Sequence, residues 1–376
     1  MPSPLIRPQA TIDLDALGRN YQLLTQRAGG RKPAGIVKAD GYGLGAVAVA
    51  RRLVAEGCER FFVARLDEGL SLRSALPPGS AAEILVLDGA QAGAERELLA
   101  AELTPVLNDL GQVERWRTAA AAAGRSLPAA LHVDTGMTRL GIPPAEADRL
   151  SAEPSRLHGL AISVVMSHLA SADVPGSSQP AKQLERFRRI RARFPQGAAS
   201  LANSAGVFLG PEYHLDLVRP GIALYGGTPL PGCGSNPMAT VVTVETPVLQ
   251  VQDVEPGTTV GYGATHEIDR PTRLATIAAG YADGLLRAAG PQRGTGGACR
   301  SVAVAGSLAP VVGRVSMDLI TIDVGHLAPG AVEPGTAVEL LGPNRPVDEV
   351  ATSTGTIANE LLTGLSPRYH RIHRST

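Results

Sequence analysis

Eight short apolar runs recur between residues 10 and 235, and most neighbouring runs are separated by a segment with helical spacing. The runs read AGIVK (34–38), RFFVAR (60–65), EILVL (83–87), TPVL (104–107), AALHVD (129–134), AISVVMSHL (161–169), ASLANS (199–204) and HLDLVRPGIALYG (214–226). Between them, segments such as LDALGRNYQLLTQRA, AVAVARRLVAEG, VERWRTAAAAAG and AKQLERFRRIRARF place apolar residues three and four positions apart. Strands that alternate with helices form parallel sheets whose helices cover the strands. Eight such units are the count of a (β/α)8 TIM-type barrel, so the expected class is α/β. A doubly wound open sheet is compatible with the same count.

The texture changes after the Pro/Gly-rich stretch TPLPGCGSNP (228–237). TVVTVETPVLQV, TTVGYG, RLATIAAGY, SVAVAGSLAPVVGRVSMDLITIDV and TAVELLG read as strands broken by turn residues, with one helical segment near 348–364. Residues 10–235 are therefore expected to form the barrel and residues 236–376 a mostly β C-terminal domain, with residues 1–9 joining the second. A chain of 376 residues suits two domains.

Composition removes several function classes. Thirty-five basic and thirty-five acidic residues give no net charge, which argues against nucleic acid or an anionic membrane as partner. No window reaches the eighteen apolar residues of a membrane span, and MPSPLIRPQATIDLD lacks the apolar core of a secretory signal, so a soluble cytoplasmic protein is expected. Cys58, Cys233 and Cys299 are scattered and odd in number, with no CxxC and no His-Cys clustering; neither a disulfide framework nor a metal site is expected.

Lysine usage is the sharper clue. Only Lys32, Lys38 and Lys182 break an otherwise all-arginine set of basic residues. An amine can lose its proton and form a Schiff base, which a guanidinium cannot. Lys38 ends the first apolar run, at the barrel mouth where such enzymes place reactive groups, and is followed by ADGYGLGA. Within that stretch GLGAVA matches the weak dinucleotide pattern GxGxxA, but KADGY intervenes between strand end and first glycine, and no acidic residue ends the next strand. A phosphate site in a barrel tends to follow strands seven and eight. Those positions read Ala202-Asn203-Ser204-Ala205-Gly206 and Arg219-Pro220-Gly221-Ile222, a helix start and a glycine amide that suit an anion. The plainer readings are a solvated strand-end lysine and an ordinary helix cap. A Schiff-base lysine together with a phosphate anchor points to pyridoxal 5'-phosphate.

At this point the residues resemble a known family. AGIVKADGYGLGA, HVDTGMTRLGI, VMSHLASAD, LANSAG, LVRPGIALYGG, VGYGAT, GYADGLLR, VGRVSMDLITID and GTIANELLTGLSPR are similar, in order and over nearly the whole chain, to the landmarks of the alanine racemases. The resemblance implies an N-terminal barrel, a C-terminal β domain and a homodimer whose active sites are completed across the interface. It implies that Lys38 holds the cofactor through a Schiff base and acts as base on one face of the substrate Cα. Tyr262, from the other subunit, would be the acid/base on the opposite face, since racemisation needs one group to remove the proton and another to return it. Tyr42, Asn203, Ser204, Gly221 and Ile222 would hold the phosphate, and His168 would support the pyridine ring. Arg219 would face the ring nitrogen and leave it unprotonated, which suppresses transamination. Arg139 and the Met317 amide would meet the substrate carboxylate, and Tyr281 would line the access channel. The implied role is the supply of D-alanine for peptidoglycan.

Four positions depart from the family. His132 stands where many members carry a carbamylated lysine that braces the substrate-binding arginine; Arg139 would then be held by His132, a water or an anion. Asn359 replaces a tyrosine that reaches the phosphate and narrows the entrance; together with His132 it motivates a broad-specificity racemase with a widened pocket as the alternative. Leu44 replaces a histidine, and Gly41 an alanine. A non-catalytic pyridoxal-phosphate-binding protein and a decarboxylase on similar architecture are further readings; the β domain with Tyr262 argues against the first, and VGRVSMD against the second.

Overall fold

The computed structural model describes residues 5–77, 79–232, 234–290 and 300–375. Cys233, Cys299 and the first four residues of the segment 1–9 lie outside the described residues. The chain divides into two compact units: residues 17–224 with 228–238, and the residues up to Ala16 with 225–227 and 239–376.

The first strand, β1 (Gln9–Asp13), belongs to the second unit. Seven parallel strands then follow in sequence order within the barrel unit: β2 (Gly35–Ile36), β3 (Arg60–Val63), β4 (Glu83–Val86), β5 (Thr104–Leu107), β6 (Leu127–His132), β7 (Leu160–Met166) and β8 (Ala198–Ser200). Parallel strands are buried on both faces, which is why they read as continuous apolar runs rather than as alternations. Phe61, Phe62, Val63, Ile84, Leu85 and Val86 are all fully buried.

The expected eighth strand over 214–226 does not form. Leu215 has φ +50°, and Pro220 has no amide to donate, so a ladder can run only between them. Leu217 makes an isolated parallel bridge to Ser200 at the end of β8. The Val218 carbonyl accepts from the Ala34 amide at 2.9 Å, just before β2. Two residues thus link the last strand of the ring to the first, and the chain leaves as a 3-10 turn, Ile222–Tyr225.

The covering helices show why the sequence folds this way. In Leu110–Ala123, Asp109 caps the start by accepting from the Gln112 amide at 2.8 Å, and Gly124 ends the helix at φ 62°. In Gln179–Arg191, Gln183, Leu184, Phe187 and Ile190 form one buried stripe.

The second unit is built on one long strand, β9 (Val242–Val254), followed by β10 (Thr259–Val260), β11 (His266–Glu267), β12 (Thr272–Ile277), β13 (Ser301–Val304), β14 (Ser307–Val312), β15 (Ile320–Asp323), β16 (Ala337–Leu341) and β17 (His370–Arg374). β9 pairs with β16 through Val244–Pro247 and with β12 through Val248–Val254. Strands β9, β12, β15, β14, β13 and β16 therefore close on themselves. β1 joins the free edge of β9, antiparallel, and β17 lies parallel outside it. Residues 10–16, which the sequence reading placed in the barrel, consequently sit with the β unit, because β1 finds its hydrogen-bond partners there.

Trp116 is the sole tryptophan and lies buried in the barrel unit, so its fluorescence reports on that unit. Phe187 is fully buried, and Phe187→Ala is expected to cost about 3–5 kcal/mol, the range for emptying a core aromatic site. Guanidinium titration of Trp116 emission checks this; a midpoint equal to that of the unaltered chain would show that the helix does not depend on its packed face.

Candidate active site

Lys38 stands where the sheet stops. The Val37 amide donates to the Phe62 carbonyl at 3.0 Å, and the next four residues turn left-handed, with φ 53°, 52°, 60° and 57° at Ala39, Asp40, Gly41 and Tyr42. The turn is closed by Gly41 N to Val37 O (2.8 Å), Gly43 N to Ala39 O (2.8 Å) and Gly45 N to Asp40 O (2.9 Å). Two carboxylates pin it, one from outside and one of its own: Glu68 Oε1 accepts from the Ala39 amide at 2.7 Å, and Asp40 Oδ1 from the Ala46 amide at 2.9 Å. A Cβ at Gly41 would lie 3.0 Å from the Ala46 backbone, so glycine is the least strained residue there.

The turn delivers Tyr42 into the interior beside the segment around Gly221. A Cβ on Gly221 would sit 2.1 Å from the Tyr42 hydroxyl, so only a bare backbone fits against that ring. Burial pushes Tyr42 up to about 12. Ser204 Oγ accepts from the Gly221 amide at 2.9 Å and from the Ala223 amide at 3.2 Å. Asn203 caps the helix Ser204–Leu209, its Oδ1 accepting from the Gly206 amide at 3.0 Å; that oxygen is committed to the cap. Tyr42, Ser204, Gly221 and Ile222 are thus gathered together, with Asn203 alongside.

A cluster of basic groups occupies the neighbouring strand ends. Arg219 is 3% exposed. Its guanidinium donates to the Ser167 carbonyl at 2.5 Å and to Ser200 Oγ, and lies 5.9 Å from the centre of the Phe62 ring. Burial lowers Arg219 to about 9, so it still carries its charge at neutral pH. His168 is held well below its ordinary value by burial and then by Arg219, Arg139, Lys38 and His132. Lys38 is lowered by burial and by Arg139, with Glu68 opposing.

His132 is buried, and its Nδ1 lies 2.8 Å from Asn108 Oδ1. The Asn108 amide nitrogen donates to Leu87 O (2.8 Å) and Val106 O (2.9 Å), so its oxygen is the atom facing His132. The imidazole therefore carries its proton on Nδ1 and leaves Nε2 as an acceptor. Burial, followed by the charge of Arg219, holds His132 down at about 4. Arg139 is exposed and has no hydrogen-bond partner among the described residues. Its loop is wound on Asp134, whose Oδ1 accepts from the Gly136, Met137 and Thr138 amides at 2.9, 2.9 and 3.2 Å. Leu44 is fully buried and offers the site no polar group.

The β unit carries the remaining residues. Tyr262 is 70% exposed in the loop between β10 and β11. Tyr281 and Met317 are exposed and lie on adjoining turns: the Tyr281 amide donates to Ser316 O and the Ala282 amide to Met317 O, both at 3.0 Å. Asn359 is half-buried in the helix Ala358–Thr363.

Sequence reasoning missed Asn108, Glu68 and the peg role of Asp134. A usable signal existed for two of them: Asn108 directly follows one barrel strand and Asp134 lies two residues past another, at the strand ends where barrels place functional groups. Glu68 is hidden in an ordinary acidic helix start.

Known proteins match this chain along nearly its whole length. The family model for the alanine racemase N-terminal domain matches residues 12–229, and that for the C-terminal domain matches residues 241–373. A catabolic alanine racemase of Mesorhizobium japonicum is 48% identical, covering 96% of this chain and 92% of that protein. The alanine racemase of Rhodospirillum rubrum is also 48% identical, covering 96% and 94%. Among solved structures, the alanine racemase of Bartonella henselae with covalently bound pyridoxal phosphate superposes with a TM-score of 0.91 at 38% identity, covering 98% of this chain and 99% of that one. Two consecutive family domains and nearly half the residues shared with such relatives leave one conclusion: the chain belongs to the alanine racemase family.

Proposed function

We propose that the chain interconverts L- and D-alanine with pyridoxal 5'-phosphate bound at Lys38, using Lys38 and Tyr262 on opposite faces of the substrate. The observation that carries this reading is the cationic strand-end cluster. Arg219, Arg139 and Lys38 all act on the buried His168, and Glu68 is the carboxylate that Lys38 senses, so positive charge outweighs negative where the strands end. A phosphorylated aldehyde and an amino-acid carboxylate fit that donor set. Lys38 supplies the amine for the carbonyl carbon, and Tyr42, Ser204, Gly221 and Ile222 cradle the phosphate, with Asn203 shaping the helix start. His168 and Arg219 hold the ring. Bound there, the cofactor supplies an electron sink that makes the Cα proton of an amino acid removable.

The chain's own groups do the rest. A lysine lowered from its ordinary range is unprotonated more often at neutral pH, as a base must be. Lys38 Nζ takes or returns the proton on one face of Cα, and Tyr262 Oη does so on the other. Arg139 and the Met317 amide orient the carboxylate, and Tyr281 lines the way in. Tyr262, Met317, Tyr281 and Ile357 are large side chains exposed on the β unit, which supports a second copy of the chain covering that surface and contributing Tyr262. The proposed enzyme acts in the cytoplasm and supplies D-alanine for peptidoglycan; no described helix is long and apolar enough to cross a membrane.

Exchange of the Cα proton in deuterated water, followed by NMR over a panel of L-amino acids, tests the reaction. Exchange with matching inversion is expected for alanine far ahead of serine, lysine and arginine. Comparable rates for bulky side chains would instead favour the broad-specificity reading and point to Asn359, whose amide is shorter than a ring. Cofactor binding without exchange on any amino acid would overturn the racemase assignment.

Mixing two inactive variants tests the shared site. Lys38→Ala and Tyr262→Phe are each expected to abolish interconversion. Random reassortment of the two yields half heterodimers with one intact site each, so about a quarter of the original activity should return. No recovery in mixtures shown to exchange subunits would place both groups in one chain.

The acid limb follows from His132. Its folded-state value of about 4 lies below the ordinary 6.5, so its contribution to stability is present above about 6.5 and is lost as pH falls towards 4. The span corresponds to about 3 kcal/mol. Urea unfolding at pH 7 and pH 4.5 should therefore show a smaller loss in His132→Gln than in the unaltered chain; equal losses would assign the acid sensitivity elsewhere.

A further inference from the structure

We propose that Glu68 is the positioning residue of Lys38: its carboxylate fastens the amide that follows the lysine to the end of the neighbouring strand, and so fixes the direction in which the amine points. The inference rests on the reading above that Lys38 carries the cofactor and moves the proton.

The sheet itself cannot do this. β2 is two residues long and pairs with β3 only at Gly35 and Ile36, and the last sheet bond before the lysine is Val37 N to Phe62 O. Past Val37 the backbone turns left-handed, and the Ala39 amide donates to a side chain instead of a carbonyl. That side chain is Glu68. Its Oε1 accepts from the Ala39 amide at 2.7 Å, while Oε2 accepts from the Ala64 amide at 2.7 Å and the Arg65 amide at 3.3 Å. Capping the helix Leu66–Ala75 needs only Oε2. The bond to Ala39 is additional, and it continues the β2–β3 join one residue beyond the lysine.

The same carboxylate is the anionic group acting on Lys38, against the positive charge of Arg139. Glu68 in turn is near Asp88, which also senses Arg65 and Asp67. Removing Glu68 therefore alters both the aim of Lys38 and the charge it senses, whereas a purely structural cap would alter neither.

Glu68→Gln keeps the size but turns one oxygen into a donor that faces an N–H. On alanine its kcat should fall about tenfold or more in both directions with KM within about twofold, the pattern of lost transition-state alignment. The pH midpoint of the visible band of the lysine-bound cofactor should move down, since a carboxylate favours the protonated cation. Amide exchange over residues 38–45 of the holoenzyme should accelerate about tenfold while the other barrel segments keep their rates. Glu68→Asp keeps the charge but is one methylene too short to span Ala39 and Ala64; it should lose kcat while leaving the band midpoint nearly in place, and it serves if the glutamine variant does not fold. Asp67→Asn is the control, with all three readouts unchanged. Lower thermal stability with unchanged band and exchange would overturn the proposal and leave Glu68 a helix cap. If the unaltered enzyme fails on alanine, the proposed reaction falls, and amide exchange still decides Glu68.

Discussion

One buried guanidinium joins the architecture to the electrostatics. Arg219 has no carboxylate partner among the described residues and is held by neutral oxygens: the Ser167 carbonyl beyond β7 and Ser200 Oγ at the end of β8. Ser200 Oγ also donates to the Leu217 carbonyl at 2.6 Å, the residue that stands in for the missing eighth strand. The closure of the ring and the charge at its mouth therefore share one hydrogen-bonded knot. A buried cation without an anion is costly, and its field spreads to its neighbours. His168 and His132 stay neutral under it, and Lys38 gives up its proton more readily than a solvated lysine. Charges arranged in advance in this way stabilise an anionic occupant without reorganising when it arrives.

The left-handed turn after Lys38 is the second device. Ala39, Asp40 and Tyr42 each occupy a conformation that costs about 1–2 kcal/mol for a residue with a Cβ. Such strain persists only where surrounding bonds over-determine it. Here three backbone bonds close the turn, the Glu68 carboxylate holds its Ala39 amide, and its own Asp40 carboxylate holds the Ala46 amide that opens the next helix. The handedness has a consequence for the site: the chain reverses within four residues and brings the Tyr42 hydroxyl against Gly221, at the other end of the barrel sequence. Lys38 and the Gly221 segment proposed to hold the phosphate are thereby coupled through a single turn.

Much of this was legible in the residues. Lysine scarcity singled out Lys38, because an all-arginine surface makes each amine informative, and the continuous apolar runs gave the seven parallel strands. The run 214–226 misled because Leu-Asp-Leu-Val has strand composition while Pro220 and the left-handed Leu215 limit its ladder, and the backbone angle at Leu215 has no sequence mark. Most of β1 fell on the barrel side of the expected boundary because its partners, β9 and β17, lie more than 200 residues away, and local periodicity carries no information about pairing at that distance. Asn203 was recognisable as either cap or anchor, and its oxygen caps. Glu68 was invisible for a related reason: an acidic residue in a first helical turn is common, and only the fold shows that its second oxygen reaches a different strand end.

The symmetry of the proposed reaction adds a constraint on these residues. L- and D-alanine have the same free energy in water, so the equilibrium constant is one, and kcat/KM must be equal in the two directions whatever the enzyme does. Yet the two proposed bases are unlike: a half-buried amine weakened as a proton acceptor, and a tyrosine hydroxyl exposed on the β unit. A difference between the two bases can therefore appear only as matched changes in kcat and KM for the two enantiomers, never in the ratio of their kcat/KM values. The site geometry therefore cannot favour synthesis or breakdown of D-alanine; the direction of flux is set by whatever consumes one enantiomer, and a catabolic relative and a biosynthetic one can share the same catalytic residues.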